Sequence, residues 1–293
     1  MKHEIPDLDW KRIGILIDLA IEEDFGAGDA TSNAVIPENL LVSAVLIAKE
    51  DCVCAGLPVA RAVFKKLDGN VVFKALVMEG QFCPAKTTLA EIRGMARPLL
   101  GAERTALNFL QRLCGVATMS HKYASAVRDS QTVILDTRKT TPGWRNLEKY
   151  AVAVGGASNH RTGLYDRIMI KDNHRVLAGL TGPDSIRKSV GLAREKYPKL
   201  EVEVEADSLE DVKKAADAGA DFILLDNMND KEMADAVKIN KGRARLEASG
   251  GITFERLKAI ASLGIDYISS GALTHSVKSI DISMEIFPHK QIY

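Results

Sequence analysis

The chain has 293 residues, with 39 lysines and arginines against 39 aspartates and glutamates, so its formal net charge is zero. Balanced charge argues against a general nucleic-acid or membrane-surface binder, and 46% hydrophobic with 27% charged residues is ordinary for a soluble globular enzyme. No run reaches the ~18 apolar residues of a membrane span and the N-terminus carries no apolar leader core, so a cytoplasmic protein is the default expectation.

The length suits two domains, or one barrel with an addition. Cys52, Cys54, Cys83 and Cys114 lack C-x-x-C spacing and read as small buried apolar residues, not a zinc site. Residues 8 to 24 have helical spacing, with Trp10, Ile13, Ile17 and Ala20 on one face. FGAGDATS then reads as a loop, in which Asp24 and Asp29 have loop or capping roles. Strands are expected from Val42 to Lys49, at 71–77 and at 87–94, with a helix from Gly56 to Leu67 carrying Pro58 in its first turn. Residues 98 to 128 form the longest helical region, which Gly115 is expected to break or kink. This order fits an α+β layer.

After Ala126 the pattern becomes regular β/α alternation. Short apolar runs occur at VILDT, RIMIK, LEVEVEA, FILLDN, ARLEASG and YISSG. Helical segments separate the later ones: SLEDVKKAADAG, with Asp207 or Ser208 as cap, and TFERLKAIASLG, with Thr253 as cap. Such units predict a parallel sheet covered by helices. Six strands, not eight, predict an incomplete, open α/β barrel.

Polar residues mark one end of that sheet. Arg138 and Lys139 follow the first run, Lys171 the second, Glu205 the third, and Asp226 with Asn227 the fourth. Ser249, Gly250 and Gly251 follow the fifth, Ser270 and Gly271 the sixth. Barrel enzymes build their sites at the C-terminal strand ends. Between residues 136 and 175 the cations Arg138, Lys139, Arg145, Lys149, His160, Arg161, Arg167, Lys171, His174 and Arg175 concentrate within a neutral chain, which points to a small, strongly anionic ligand.

Three sub-sites follow from this chemistry. SGGIT is a glycine turn opening a helix and suits a phosphate, with SSGA as a second turn beside it. Glu205 and Asp226 end adjacent strands and suit a hard divalent ion such as magnesium; an acid/base pair, or ion pairing with Lys139 or Lys171, are the alternatives. Arg138, His160, Arg161 and Lys171 suit an anion with more than one carboxylate. Together they match phosphoribosyl transfer from a pyrophosphate-bearing sugar phosphate to a multiply charged acid.

The segments ERTALNFLQRL at 103–113, DTRKTTPG at 136–143, NHRTGL within 148–164, IKDNH at 170–174, EVEVE at 201–205, LLDN at 224–227, EASGGI at 247–252 and ISSGALTHS at 268–276 resemble quinolinate phosphoribosyltransferase. EDFGAGDATS extends the resemblance toward the N-terminus. The resemblance implies an N-terminal α/β sandwich domain over 1–114 and an open barrel over 115–275, with residues from about 276 to 293 packing back on the first domain. It implies quinolinate, phosphoribosyl pyrophosphate and magnesium as reactants and cofactor. It also implies a homodimer in which Arg104 reaches the partner's site; the sequence leaves open whether dimers assemble into hexamers. Quinolinate contacts fall on Arg104, Arg138, His160, Arg161 and Lys171. Pyrophosphate and metal contacts fall on Lys139, Glu205 and Asp226, which with Lys171 carry the catalysis. The phosphate cradle falls on Asn227, Ser249, Gly250, Gly251, Ser270 and Gly271.

The chain departs from the family at Ala157, Cys114 and Trp144. Ala157 narrows the backbone if a positive φ is required there. The rival readings are a molybdenum-transport-associated paralogue of the same fold, a nicotinate phosphoribosyltransferase, and a non-catalytic phosphate-binding barrel. The intact NHR triplet and TRKTTPG disfavour the first, the dense cations the second, and the presence of Glu205 and Asp226 together the third.

Overall fold

The computed structural model describes residues 5–288. In chain order the first elements are α1 (Trp10–Phe25), α2 (Ala30–Val35), β1 (Leu41–Ala48), β2 (Cys52–Val53), α3 (Leu57–Leu67), β3 (Val72–Ala75), β4 (Phe82–Cys83), β5 (Thr88–Met95) and α4 (Ala96–Ala126). Then come β6 (Val133–Leu135), α5 (Arg145–Val154), β7 (Ile168–Ile170), α6 (Asp172–Leu177), α7 (Ser185–Lys196), β8 (Val202–Ala206) and α8 (Leu209–Asp217). The last are β9 (Phe222–Asp226), α9 (Asp230–Asn240), β10 (Arg245–Ser249), α10 (Leu257–Ser262), β11 (Tyr267–Ser269) and β12 (Ile282–Pro288). They form two compact units.

The first unit comprises the chain up to His121, Thr141–Gly156, and the chain from Leu273 onward. Its four-stranded sheet has the order β12-β1-β5-β3. Along β1 every second residue is buried (Val42, Ala44, Leu46 and Ala48), the period of a strand with one face in a core. The C-terminal strand β12 pairs antiparallel with β1; residues 289–293 of that segment lie outside the described residues. Helix α1 buries Ile13 and Ile17, whereas Trp10, expected on the same face, is 48% exposed at its first turn. FGAGDATS is not wholly loop: Asp29 accepts the backbone N–H of Ser32 at 3.0 Å and so caps α2.

Helix α4 is continuous over 31 residues, so Gly115 does not break it. Gly115 instead permits a close approach, because a Cβ there would strike the carbonyl of Lys278 and the side chain of Val277. Arg112, on the same helix, donates to the carbonyls of Val277 (2.9 Å) and Thr274 (2.5 Å) and pairs with the fully buried Glu148 at 2.8 Å.

The linear boundaries at 114 and 275 differ from this division in one informative place. Helix α5, within the expected barrel segment, belongs to the first unit. Side chains hold it there. Tyr150 donates to Glu79 at 2.7 Å, Glu148 meets Arg112, and Gly155 lies so close to the Ala117 carbonyl that no Cβ would fit.

The second unit comprises Lys122–Thr140 and Ala157–Ala272. Its six strands form one parallel sheet in the order β6-β11-β10-β9-β8-β7. Strands β6 and β7 end that order unpaired with each other, so the barrel is open, as the strand number predicts. Ser208 caps α8 by accepting the N–H of Asp211, which decides between the two cap candidates. Leu135, Phe222 and Tyr267 pack as a buried cluster at the barrel floor. The guanidiniums of Arg167 and Arg245 lie over the Phe222 ring at 4.0 and 4.5 Å. No helix among the described residues is long and apolar enough to cross a membrane.

Candidate active site

The C-terminal strand ends of the second unit enclose a cavity of about 450 Å³. One wall carries Arg138, Lys139, His160, Arg161 and Lys171; another carries Glu205, Asp226, Asn227, Ser249, Gly250 and Gly251. Residues spread over more than a hundred positions meet here because each parallel strand ends at the same edge.

Local hydrogen bonds shape the cationic wall. Asp136, fully buried just after β6, accepts the backbone N–H of His160 at 2.7 Å and the side-chain amide of Asn159 at 3.0 Å. It ties the loop bearing Arg138 and Lys139 to the segment bearing His160 and Arg161. No role was expected for Asp136; the available signal was an acid placed directly between a buried strand and TRK. The Thr137 hydroxyl accepts the N–H of Lys139 at 3.1 Å, which turns the chain there. Arg161 donates to the Arg167 carbonyl at 3.0 Å. Burial and the neighbouring Arg138 both lower its affinity for its proton, as crowded cations must.

At the end of β7 the Lys171 ammonium pairs with the Glu205 carboxylate. The alternative of an ion pair at Glu205 is therefore realised, and Lys171 is the partner. The backbone N–H of Lys171 donates to His174 Nδ1 at 3.0 Å, so His174 orients this strand end. The three glutamates of LEVEVEA point to one face but sit at different depths. Glu201 is partly exposed and pairs with Arg167 and Arg245, Glu203 is fully buried, and Glu205 reaches the cavity.

At the cavity lining His160 Nε2 lies 3.4 Å from an oxygen of the deeper Glu203 and 3.3 Å from a Glu247 oxygen. Arg167 lies 3.6 Å from Glu203. Two acids, one guanidinium and one imidazole balance only when they hold a proton in common. Burial opposes the charge on His160, while the two carboxylates pull its pKa upward, against the Arg161 N–H that occupies Nδ1. Burial, then the Glu247 charge, raises Glu203; burial pushes Glu247 up too, but His160 and Arg167 hold it low. Neither glutamate was expected to matter, since EVEVE and EASGGI drew attention to Glu205 and the glycines.

On the anionic wall, Glu205 and Asp226 end neighbouring strands and both face the cavity. Two carboxylates beside a space for ligand phosphates and water are the donor set magnesium uses, so the residues fit it. Asn227, at φ 55°, donates through its side chain to Asp226 at 2.8 Å and through its N–H to the Ser249 carbonyl at 3.0 Å. Gly250 and Gly251 follow at φ 84° and 57°. Ile252 and Thr253 do not open an α-helix directly; a 3-10 turn intervenes and α10 has six residues. Any cradle here would be the glycine turn itself, since no long helix starts behind it.

Ser270 and Gly271 are not among the cavity-lining residues, and Ser269 is. Alternation explains the difference, because neighbouring strand residues face opposite ways. Ser270 is buried with its N–H on the Leu135 carbonyl at 3.0 Å. Arg104 is exposed on α4 in the first unit.

Family models for the N- and C-terminal domains of quinolinate phosphoribosyl transferase match residues 29–114 and 116–285. The chain belongs to the quinolinate phosphoribosyl transferase family. It is 43% identical over 265 residues, 90% of each chain, to a probable nicotinate-nucleotide pyrophosphorylase [carboxylating] of Bacillus subtilis. A protein of the same description from Synechocystis is 44% identical over 281 residues, covering 94% of this chain and 93% of that one. The crystal structure of NadC from Streptococcus pyogenes superposes with a TM-score of 0.92 at 41% identity, covering 97% of this chain and all of that one.

The departures from the family leave the described site residues in place. The positive φ belongs to Gly156, at 94°, and not to Ala157, which is buried. Trp144 stacks on Phe109 with ring centroids 4.7 Å apart, a packing role. Cys114 is buried and its sulfur accepts the N–H of Ala55 at 3.4 Å. Within the Ser-Gly-Gly turn, Gly250 is the position least able to change. A Cβ there meets the Asn227 backbone nitrogen at 2.9 Å, and φ is left-handed. Gly250→Ala is expected to raise the KM for the phosphate-bearing substrate about ten-fold or more, consistent with ~1–3 kcal/mol of strain. Steady-state kinetics with each substrate varied in turn would check it.

Proposed function

We propose that this chain transfers the phosphoribosyl group of phosphoribosyl pyrophosphate to quinolinate, giving nicotinate mononucleotide, carbon dioxide and pyrophosphate in NAD biosynthesis. The name of its relatives describes that reaction from the product side. The observation that carries the reading is one cavity in which Arg138, Arg161, His160 and Lys171 face two carboxylates and a Ser-Gly-Gly turn.

The pyridine nitrogen attacks the anomeric carbon as pyrophosphate leaves. The pyridinium nitrogen then withdraws electrons, the bond from C2 to its carboxylate breaks, carbon dioxide departs, and C2 takes up a proton. Arg138 and Arg161 supply the planar forks that hold carboxylates, with His160 and Lys171 beside them. Lys139 offsets charge on the departing pyrophosphate, and Ser249, Gly250 and Gly251 receive the 5-phosphate. Glu205 and Asp226 would hold magnesium, which neutralises pyrophosphate oxygens. The reading also includes a homodimer, in which the exposed Arg104 completes the partner's quinolinate site, and a cytoplasmic location.

The test is a coupled assay with phosphoribosyl pyrophosphate, magnesium and either quinolinate or nicotinate. Mononucleotide and carbon dioxide from quinolinate, with none from nicotinate, is the expected result. Product from nicotinate alone would overturn the dicarboxylate pocket. Binding of phosphoribosyl pyrophosphate without turnover of either acid would favour the paralogue or the phosphate-binding barrel.

A further inference from the structure

Glu247 poses a problem. It is a fully buried carboxylate on the wall of a cavity built for anions. An uncompensated negative charge there would repel the acid substrate. The register explains how the fold tolerates it. Glu247 on β10 and Glu205 on β8 both stand opposite Leu224 on β9, so they share a layer; Glu203 stands opposite Phe222, one layer deeper. The His160 ring bridges the two layers, meeting one oxygen of each glutamate.

That ring is hydrogen-bonded at Nδ1 and flanked at Nε2 by the two carboxylates at ion-pair distance. The backbone N–H of Arg161 donates to Nδ1 at 2.6 Å. Nε2 is therefore the nitrogen that carries a proton, and it carries it toward the two carboxylates. The carboxylates of Glu203 and Glu247 lack hydrogen-bond partners of good geometry among the described residues; His160 Nε2 lies near both and the Arg167 guanidinium near Glu203. Arg167 balances Glu203 from the floor side, where it lies on Phe222. Asp136 fixes the backbone of the same residue from β6.

We propose that Glu247 and Glu203 are positioning residues for the acid substrate: Glu247 at the wall of the anion pocket and Glu203 one layer beneath it flank His160 and thereby set the placement of His160 and Arg161. This rests on the quinolinate reading. On this proposal their effect runs through His160 and not through contact with the substrate.

A double-mutant cycle on the full-length enzyme tests this. Glu247→Gln keeps the shape and removes the charge; it is compared with His160→Asn and with the double variant. Glu247→Gln should raise the KM for quinolinate about ten-fold and that for phosphoribosyl pyrophosphate by less than about two-fold, and should add less than about two-fold in the His160→Asn background. Independent multiplicative effects, equal rises in both KM values, or an unchanged quinolinate KM would overturn the proposal. Should Glu247→Gln fail to fold by its melting curve, Glu203→Gln takes its place with the same expectations. Nitrogen-15 spectra of the wild-type histidines give a second readout: Nε2 of His160 protonated and Nδ1 an acceptor is expected, and the opposite tautomer would refute this arrangement. A wild-type enzyme inactive on quinolinate would instead reject the functional reading, and the spectra would still decide whether the arrangement exists.

Discussion

Lys139→Ala is expected to lower kcat about 10²–10³-fold, the usual cost of removing one preorganised charge from a transition state. The lysine is exposed at the rim of the cavity, and its loop is shaped by backbone groups: the Thr137 hydroxyl takes its N–H, and the Arg138 carbonyl takes that of Thr140. Truncation therefore removes the ammonium and leaves the turn. An exposed substitution of this kind moves stability by no more than about 0.5 kcal/mol, so the melting temperature should barely change. Loss of turnover with an unchanged melt is the signature. Near-normal kcat would remove Lys139 from the transition state.

Glu205→Gln and Asp226→Asn should each raise the magnesium concentration for half-maximal activity by ~10–100-fold or more, since loss of even an outer partner of a metal costs that much. The two variants differ in a useful way. Glu205 is paired with Lys171, so neutralising it also releases a cation into the pocket. Asp226 accepts only a neutral amide in the described structure, from Asn227. Asp226→Asn should thus act on the metal requirement alone, while Glu205→Gln should also alter the KM for quinolinate. Magnesium titrations at saturating and limiting quinolinate separate the two effects. An unchanged metal requirement in both would leave the pair as ion-pairing groups and withdraw the magnesium site.

Much of the barrel was legible because its signals are local. An apolar run that ends in Arg138, Lys171 or Asp226 announces a buried strand and the polar edge above it, and the repeats at α8 and α10 announce helices between strands. The two-residue strands β2 and β4 left no signal, being too short to alternate. Gly115 was misleading because a glycine within a helix reports either weakness or close approach. Only the chain lying against it, Val277 and Lys278, distinguishes them. Which of Ser269 and Ser270 lines the cavity was not legible either, because a strand's inward phase is set by its neighbours and not by its final serine.

What the amino-acid order settled was the set of cations, acids and glycines and the edge of the sheet they occupy, since strand period and strand termination depend on neighbours a few positions away. Charge balance beneath that edge was decided only by tertiary structure. His160 meets Glu203 on β8 and Glu247 on β10, and Asp136 meets its backbone from the loop after β6. Helix α5 likewise leaves the barrel's sequence for the first unit because Glu79, Arg112 and Ala117 receive it there. Such contacts depend on burial, which converts a distant pair of charges into a strong interaction and has no signature in any short stretch of chain.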